Sequence, residues 1–241
     1  MLDLSGRAAV VTGATGHLGR TVVRMLLERG AHVALPVRDA AKGETLRASL
    51  GDLAAGPDGP RVLVDTVDIA DRAAMDAFVE RILRAWGRLD ILVNLAGGFA
   101  SGSSLDPGTL ETLWSQNVRT TVSATAACVR PMRARGRGRI VTVGAYAAIT
   151  KARRNGAPYA MAKGALVKWS EGLAEELKGE GITANVVLPS TIDNVENRAA
   201  MPKADPRTWV APDELAAVIL FLCSDEASGV TGAAIPVTAR T

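Results

Sequence analysis

The sequence predicts an α/β fold: a single domain on one doubly wound parallel sheet of about seven strands, with helices on both faces. Three observations predict it. Short apolar runs alternate with longer amphipathic stretches along the whole chain, the pattern of repeated strand–helix units. Hydrophobic residues make up 48% of the chain but aromatics only 4%, so strands buried on both faces are written in Val, Ala, Leu and Ile. A glycine-rich segment, Thr12-Gly13-Ala14-Thr15-Gly16-His17-Leu18-Gly19, ends the first apolar run and opens the first amphipathic one. With 241 residues the chain is long enough for one substantial core, so residues 1–241 are expected to form one unit.

The first strand is expected at Ala8 to Thr12 and the first helix at His17 to Glu28, closed by Gly30. Strand His32 to Val37, helix Ala40 to Ser49, strand Val62 to Asp65, helix Arg72 to Trp86 and strand Ile91 to Asn94 continue the alternation. A long helix from Pro107 to Arg135 leads to strand Arg139 to Val143, helix Tyr159 to Lys178, strand Thr183 to Leu188, helix Pro212 to Cys223 and strand Ala234 to Val237. Gly51 to Pro60 reads as a Gly/Pro-rich turn. Thr191 to Thr208 is polar, broken by proline and too long for an ordinary connection, which predicts a substrate lid near 191–210. Right-handed crossovers place a ligand crevice at the carboxyl ends of the strands, where the winding reverses.

Composition excludes several classes. The net charge is only +3, and the one basic run, Arg133 to Arg139, reads as a solvated helix end, so nucleic acid is not an expected partner. Cys128 and Cys223 sit in apolar helical patterns and read as core residues, with neither a disulfide nor a metal site expected. No apolar run is long enough for a membrane helix, and Met1 to Arg7 lacks signal-peptide character, which points to the cytoplasm.

At the glycine turn, backbone N–H groups and the positive helix end are expected to meet a pyrophosphate through Gly13, Thr15, Gly16, His17, Leu18 and Gly19. Asp68, after the third strand, is placed to accept from an adenine amino group, or to cap a turn. Asn94-Leu95-Ala96-Gly97-Gly98 follows the fourth strand, and its small residues, Asn94, Ala96 and Gly97 among them, would let backbone approach a ribose. The second strand ends in Val37-Arg38 where an acidic residue would select NAD. Arg38 favours the 2′-phosphate of NADP, the alternative being a solvated loop arginine. Tyr159 and Lys163 in Tyr-Ala-Met-Ala-Lys share a helix face, where the ammonium is expected to lower the phenol pKa from its ordinary value of about 10 and fit it for acid/base work.

With these residues assembled, the whole chain resembles the short-chain dehydrogenase/reductase family, a Rossmann-type group, in the glycine turn, Asp68, the Asn-Leu-Ala-Gly segment, Asn117 and the Tyr159/Lys163 pair. The resemblance implies that Tyr159 is the acid/base, that Lys163 also binds the nicotinamide ribose, and that Asn117 holds a water in the proton relay. It also implies that Pro189 and Thr191 meet the carboxamide or diphosphate, and that the chain forms a homodimer or homotetramer through its long helices. One departure stands out: after the strand Arg139 to Val143 the family has a serine, and this chain reads Gly144-Ala145-Tyr146. Tyr146 either replaces that serine or lines the pocket wall.

A narrower resemblance, to dihydropteridine reductases, lies in Gly144-Ala145, Ala96-Gly97-Gly98-Phe99-Ala100, Leu113-Trp114-Ser115-Gln116, the Tyr159 segment and the stretch from Leu188 to Trp209. It implies NAD(P)H-dependent reduction of a planar, electron-poor substrate such as a quinonoid dihydropteridine, lined by Ala145, Tyr146, Phe99, Asn197 and Trp209. Trp209 or Phe99 would offer a stacking face, with a structural role for Trp209 as the alternative. Arg153 and Arg154 flank the pocket mouth and read as a solvated loop pair, the alternative being contact with an anionic substrate. Two other functions are compatible: a carbonyl or imine reductase of secondary metabolism that works without the serine, and a redox-silent NADP-binding protein or non-redox cyclase.

Overall fold

The computed structural model describes residues 2–57 and 59–240. Seven strands form one all-parallel sheet: β1 (Ala8–Thr12), β2 (His32–Val37), β3 (Val62–Thr66), β4 (Ile91–Asn94), β5 (Gly138–Val143), β6 (Ile182–Pro189) and β7 (Ala234–Val237). Their order is β3-β2-β1-β4-β5-β6-β7, so the winding reverses between β1 and β4. The register brings the central strands to a common level: Thr12 pairs with Asn94, and Asn94 with Thr142.

Helices α1 (His17–Glu28), α2 (Ala40–Ser49), α3 (Arg72–Trp86), α4 (Pro107–Trp114), α5 (Thr120–Arg135), α6 (Ala157–Glu176), α7 (Val195–Ala200) and α8 (Pro212–Cys223) cover the sheet. Alternation along β1 divides the core, as a period of two requires. Ala9 and Val11 pack with Val22, Leu26 and Leu27 of α1 and Leu215, Ile219 and Leu220 of α8. Ala8 and Val10 pack on the other face with Met75, Phe78 and Ile82 of α3 and Ala124, Cys128 and Met132 of α5. Each such large aliphatic side chain, once buried, contributes roughly 1.5–3 kcal/mol.

The predicted elements are all present, with four corrections. Strand ends extend by a residue or so: β3 runs to Thr66, β5 starts at Gly138, and β6 spans Ile182–Pro189. The helix expected at Tyr159 to Lys178 starts earlier, at Ala157, because Pro158 fits a first helical turn, and it ends at Glu176. The helix expected over Pro107 to Arg135 is interrupted by a π turn at Ser115–Arg119, which separates α4 from α5. Gly51 to Pro60 holds more than a turn: a 3-10 turn at Gly51–Ala54 and a two-residue antiparallel pairing of Ala55–Gly56 with Gly59–Pro60.

The basic run is an exposed helix end only in its first half, where Arg133 and Arg135 lie in the last turn of α5; its second half is paired or buried. Arg133 binds Glu180 through two hydrogen bonds, and Arg137 pairs with Asp225. Arg139 is buried at 4% exposure, its guanidinium donating to the carbonyls of Ser224, Gly138 and Gly181. As part of β5 it lies under the sheet end, where backbone acceptors replace water. Among the described residues no helix is long and apolar enough to cross a membrane.

Candidate active site

The crevice floor is where β1 and β4 end. Gly13 adopts φ +68°, and a Cβ there would stand 2.8 Å from the Ala96 nitrogen and 2.9 Å from the Leu95 carbonyl carbon, so the two loops meet backbone to backbone. The Thr12 hydroxyl locks the contact by accepting from the N–H groups of Leu95 (3.1 Å) and Ala96 (3.2 Å). Sequence reasoning assigned Thr12 no role; its signal was a hydroxyl residue closing a strand just before the glycines. Gly19 is equally constrained, since a Cβ there would fall 2.4 Å from the Gly13 oxygen.

These glycines deliver the start of α1 to the crevice without a plug. Gly16 is the N-cap and offers no side-chain hydrogen bond, and the first turn holds no acidic residue. A Cβ on Gly16 would meet nothing nearer than 3.5 Å. The N–H groups of His17, Leu18 and Gly19 belong to the uncapped first turn at a positive helix end, with His17 exposed, Leu18 half-buried and Gly19 buried, an arrangement suited to a phosphate. Thr15 lies in the same turn, its carbonyl accepting from Arg20. The imidazole of His17 pairs with Glu196 of α7 at 3.1 Å, tying the glycine turn to α7.

Around that floor stand the other expected contacts. Arg38, at the end of β2, is exposed and has no ion pair among the described residues. Asp68 is exposed, with Oδ1 accepting from Ala70 N at 2.9 Å, the bond expected of a turn. At Asn94 only the backbone is left to approach a ribose. Its side chain is buried at 2% exposure, donating to Thr125 and to Thr142 between β4, β5 and α5, because the last strand residue points into the core. Gly97 keeps its expected place: a Cβ would lie 2.5 Å from Asn117 Oδ1 and 3.4 Å from Lys163 Nζ. Pro189 ends β6, and Thr191 follows, half-buried and capping no helix; Asn194 caps α7 instead.

Tyr159 lies in the first turn of α6, half-buried against the small cluster of Leu113, Val118, Ala162 and Leu166. The ring of Phe99 meets it edge-on, with centroids 5.0 Å apart at 76°. Lys163, one turn along, is buried at 6% exposure; its Nζ sits 6.0 Å from the Tyr159 ring centre and donates to Val143 O at 3.0 Å. The expected lowering of the phenol pKa is not what this arrangement gives. Burial pushes Tyr159 up to about 12 and Lys163 down to about 8, because removal from water penalises both charges and the ammonium is bonded to a carbonyl rather than to the phenol.

Asn117 comes from the π turn that the sequence did not reveal. It is fully buried; Nδ2 donates to Leu113 O (2.8 Å) and Gly98 O (3.1 Å), while Oδ1 has no hydrogen-bond partner beside Gly97. The widened turn frees carbonyls from the usual helical ladder. Thr120 and Thr121 hydroxyls take them up, bonding Gln116 O at 2.8 Å and Asn117 O at 2.7 Å.

The substrate-facing expectations divide. Phe99 is 72% exposed and frames Tyr159, and Ala145 is buried at the end of β5. Gly144 before it is forced, since a Cβ would lie 2.6 Å from the Leu188 side chain. Tyr146 is 37% exposed and opens a 3-10 turn, its hydroxyl making no bond among the described residues. Asn197 is committed to the lid itself, donating to Ile192 O at 2.8 Å. Trp209 is buried at 6% exposure, which decides for its structural role over a stacking one. Among the described residues no cluster of His, Cys, Asp and Glu could hold a metal.

A glycine-turned helix end, a buried phenol and ammonium one turn apart, and a reversed parallel sheet recur together in known proteins. The short-chain dehydrogenase family model matches residues 7–205. The chain belongs to this family. It is 30% identical to cyclohexanol dehydrogenase of Rhodococcus sp. strain TK6, across 98% of this chain and 96% of that protein. It is 31% identical to the 3-oxoacyl-acyl-carrier-protein reductase FabG of Escherichia coli K12, across 96% and 95%. Among solved structures, a short-chain dehydrogenase/reductase from Serratia marcescens BCRC 10948 superposes with a TM-score of 0.87 at 31% identity, covering 98% of both chains. One from Mycobacterium ulcerans gives 0.90 at 26% identity, covering 99% of this chain and 90% of that one. As a short-chain dehydrogenase the protein is an NAD(P)-dependent oxidoreductase. The uncapped α1 terminus and the glycine-only approach of Gly13 to Leu95 and Ala96 fit a dinucleotide. The narrower likeness to dihydropteridine reductases finds no counterpart in these relatives, whose names are those of dehydrogenases and ketoacyl reductases.

Proposed function

We infer that this short-chain dehydrogenase uses NADPH to reduce a planar, electron-poor acceptor, of which a quinonoid dihydropteridine is one example. The observation that carries the reading is the donor set: Tyr159 and Lys163 are in place, but Gly144-Ala145-Tyr146 stands where a serine donor is expected. Losing one preorganised donor to an oxyanion costs about 10²–10³ in rate. A delocalised ring system localises less charge and tolerates that loss.

The nicotinamide, when bound, supplies the hydride. Tyr159 gives its proton to the acceptor directly or through a water, with Asn117 Oδ1 and Lys163 beside Gly97 holding such a water. Lys163 attracts the ribose and stabilises the phenolate that remains. The exposed ring of Phe99 offers the acceptor a flat face. Arg38, exposed and unpaired, supports NADPH over NADH. Residues 191–210 act as lid, with Thr191 at the cofactor side. The chain works as one domain, in the cytoplasm, as a homodimer or homotetramer; exposed Trp114, Val122 and Met161 on α4, α5 and α6 support the assembly.

A second reading, ketone reduction with the Tyr146 hydroxyl in the serine's place, is favoured by relatives named for cyclohexanol and 3-oxoacyl groups. One set of rates separates the two: NADPH and NADH oxidation with a quinonoid dihydropterin and with cyclohexanone, by wild type, Tyr159→Phe and Arg38→Asp. The first reading expects the dihydropterin to win, Tyr159→Phe to lose well over about tenfold, and Arg38→Asp to shift preference toward NADH. Faster turnover of cyclohexanone selects the second reading, and an unchanged single-turnover rate in Tyr159→Phe removes the acid/base role.

A further inference from the structure

Three cations stand within four residues on the loop before α6: Lys151, Arg153 and Arg154, all exposed. Other surface arginines near the site meet carboxylates, Arg198 with Asp193 and Arg207 with Asp205. These three have no ion pair or side-chain hydrogen bond among the described residues.

The loop is held in place. Gly102 N donates to Asn155 O, and Gly156 N to Arg153 O, both at 2.9 Å, and Asn155 adopts φ 59° to close the turn. The first of these bonds joins it to the loop carrying Phe99, whose ring meets Tyr159 edge-on. Neither residues 95–105 nor residues 144–158 contain an Asp or Glu. The lid carboxylates Asp193, Glu196 and Asp205 are taken by Arg198, His17 and Arg207. The start of α6 adds the same sign, with no acidic residue in its first turn and no side-chain cap from Gly156.

We propose that Lys151, Arg153 and Arg154 form an anion-recognising rim: the substrate carries a carboxylate or phosphate on a flat apolar body, the body resting at Phe99 and the charge meeting the rim. The inference rests on Tyr159 being the reaction centre; it takes the anionic-substrate alternative for Arg153 and Arg154 over the solvated one and adds Lys151 to the set. Exposed cations on long side chains act mainly by steering and by modest affinity. Their effect therefore belongs in kcat/KM and its salt dependence.

Equilibrium binding tests the rim without requiring turnover. Naphthalene-2-carboxylate, 1-naphthyl phosphate and naphthalene-2-carboxamide are titrated calorimetrically into the full chain, with and without NADP, at low and high salt. At low salt at least one anion should bind about three- to tenfold tighter than the amide, and the two anionic arms show which anion is preferred. The difference should shrink at about 0.3 M salt and vanish in the triple variant Lys151→Gln, Arg153→Gln, Arg154→Gln, whose melting temperature and NADPH affinity should match wild type. Equal affinity for all three probes, or an anion preference that survives in the triple variant, overturns the rim. A silent Tyr159 would show in hydride transfer and leave these binding data readable, so the two failures are distinguishable.

Discussion

Lys163 and Tyr159 make their burial visible in the pH dependence of stability. Burial lowers Lys163 from 10.5 to about 8, so below that pH the folded chain bears the cost of a desolvated ammonium. Between about 8 and 10.5 the unfolded chain binds more protons, and stability rises with pH. Tyr159 acts in the opposite sense: its pKa is raised from 10.0 to about 12, the unfolded chain ionises first, and stability falls above about 10. Cys128 and Cys223, whose thiols burial raises from 9.0 to about 12, act in the same sense as Tyr159 from about pH 9 upward. The denaturant midpoint of wild type should therefore climb from pH 8 toward 9 and then drop, whereas Lys163→Met should show no climb. A wild-type curve without that rise would contradict the burial assigned to this amine. The pairing of the two residues was legible from their spacing, but the sign of the phenol shift was not. Sequence gives the separation along a helix; which acceptor the ammonium finds, here Val143 O, depends on β5 passing beneath it.

The glycine turn yields a prediction of its own, because its glycines differ in what surrounds them. Gly19→Ala would force a methyl group to 2.4 Å from the Gly13 oxygen and 2.6 Å from Ala14 Cα, both backbone, which cannot yield cheaply. The expected cost is about 1–3 kcal/mol, with weakened NADPH binding as the turn is displaced. Gly172→Ala in α6 meets nothing within 4 Å and should stabilise by roughly 0.5–1 kcal/mol through helix propensity. Urea unfolding and NADPH titration of the two variants check the contrast; equal behaviour would mean that α1 does not need its close approach. Strands and helices were legible because apolar periodicity reports them directly. The π turn at Ser115–Arg119 was not, since one widened turn leaves the surrounding periodicity intact, and only the adjacent hydroxyls of Thr120 and Thr121 hinted at it. The segment 191–210 stood out as polar, yet the commitments of Asn197 and Trp209 inside it depended on a bond to Ile192 O and on burial, which composition does not report.

The two cysteines probe the molecule as one body. Cys128 packs on the α3–α5 side of the sheet and Cys223 on the α1–α8 side, both fully buried, with thiols that burial pushes up to about 12. Neither should react with iodoacetamide in the native state. In mild urea both should label at one common rate set by global opening, read by mass spectrometry. Labelling of one well before the other would show that the sheet's two sides come apart independently. The single sheet was legible because its strands share one repeating pattern, whereas the meeting of distant loops at the crevice came only with three-dimensional contact. That meeting, of Gly13 with the main chain of Leu95 and Ala96, has a consequence for how such a protein can diversify. A seat walled by peptide groups offers no functional group to exchange, and any substitution there merely thickens the wall. Under the function and rim proposed above, novelty in coenzyme or substrate is channelled to exposed side chains such as Arg38, Lys151, Arg153 and Arg154, while the centre stays chemically constant.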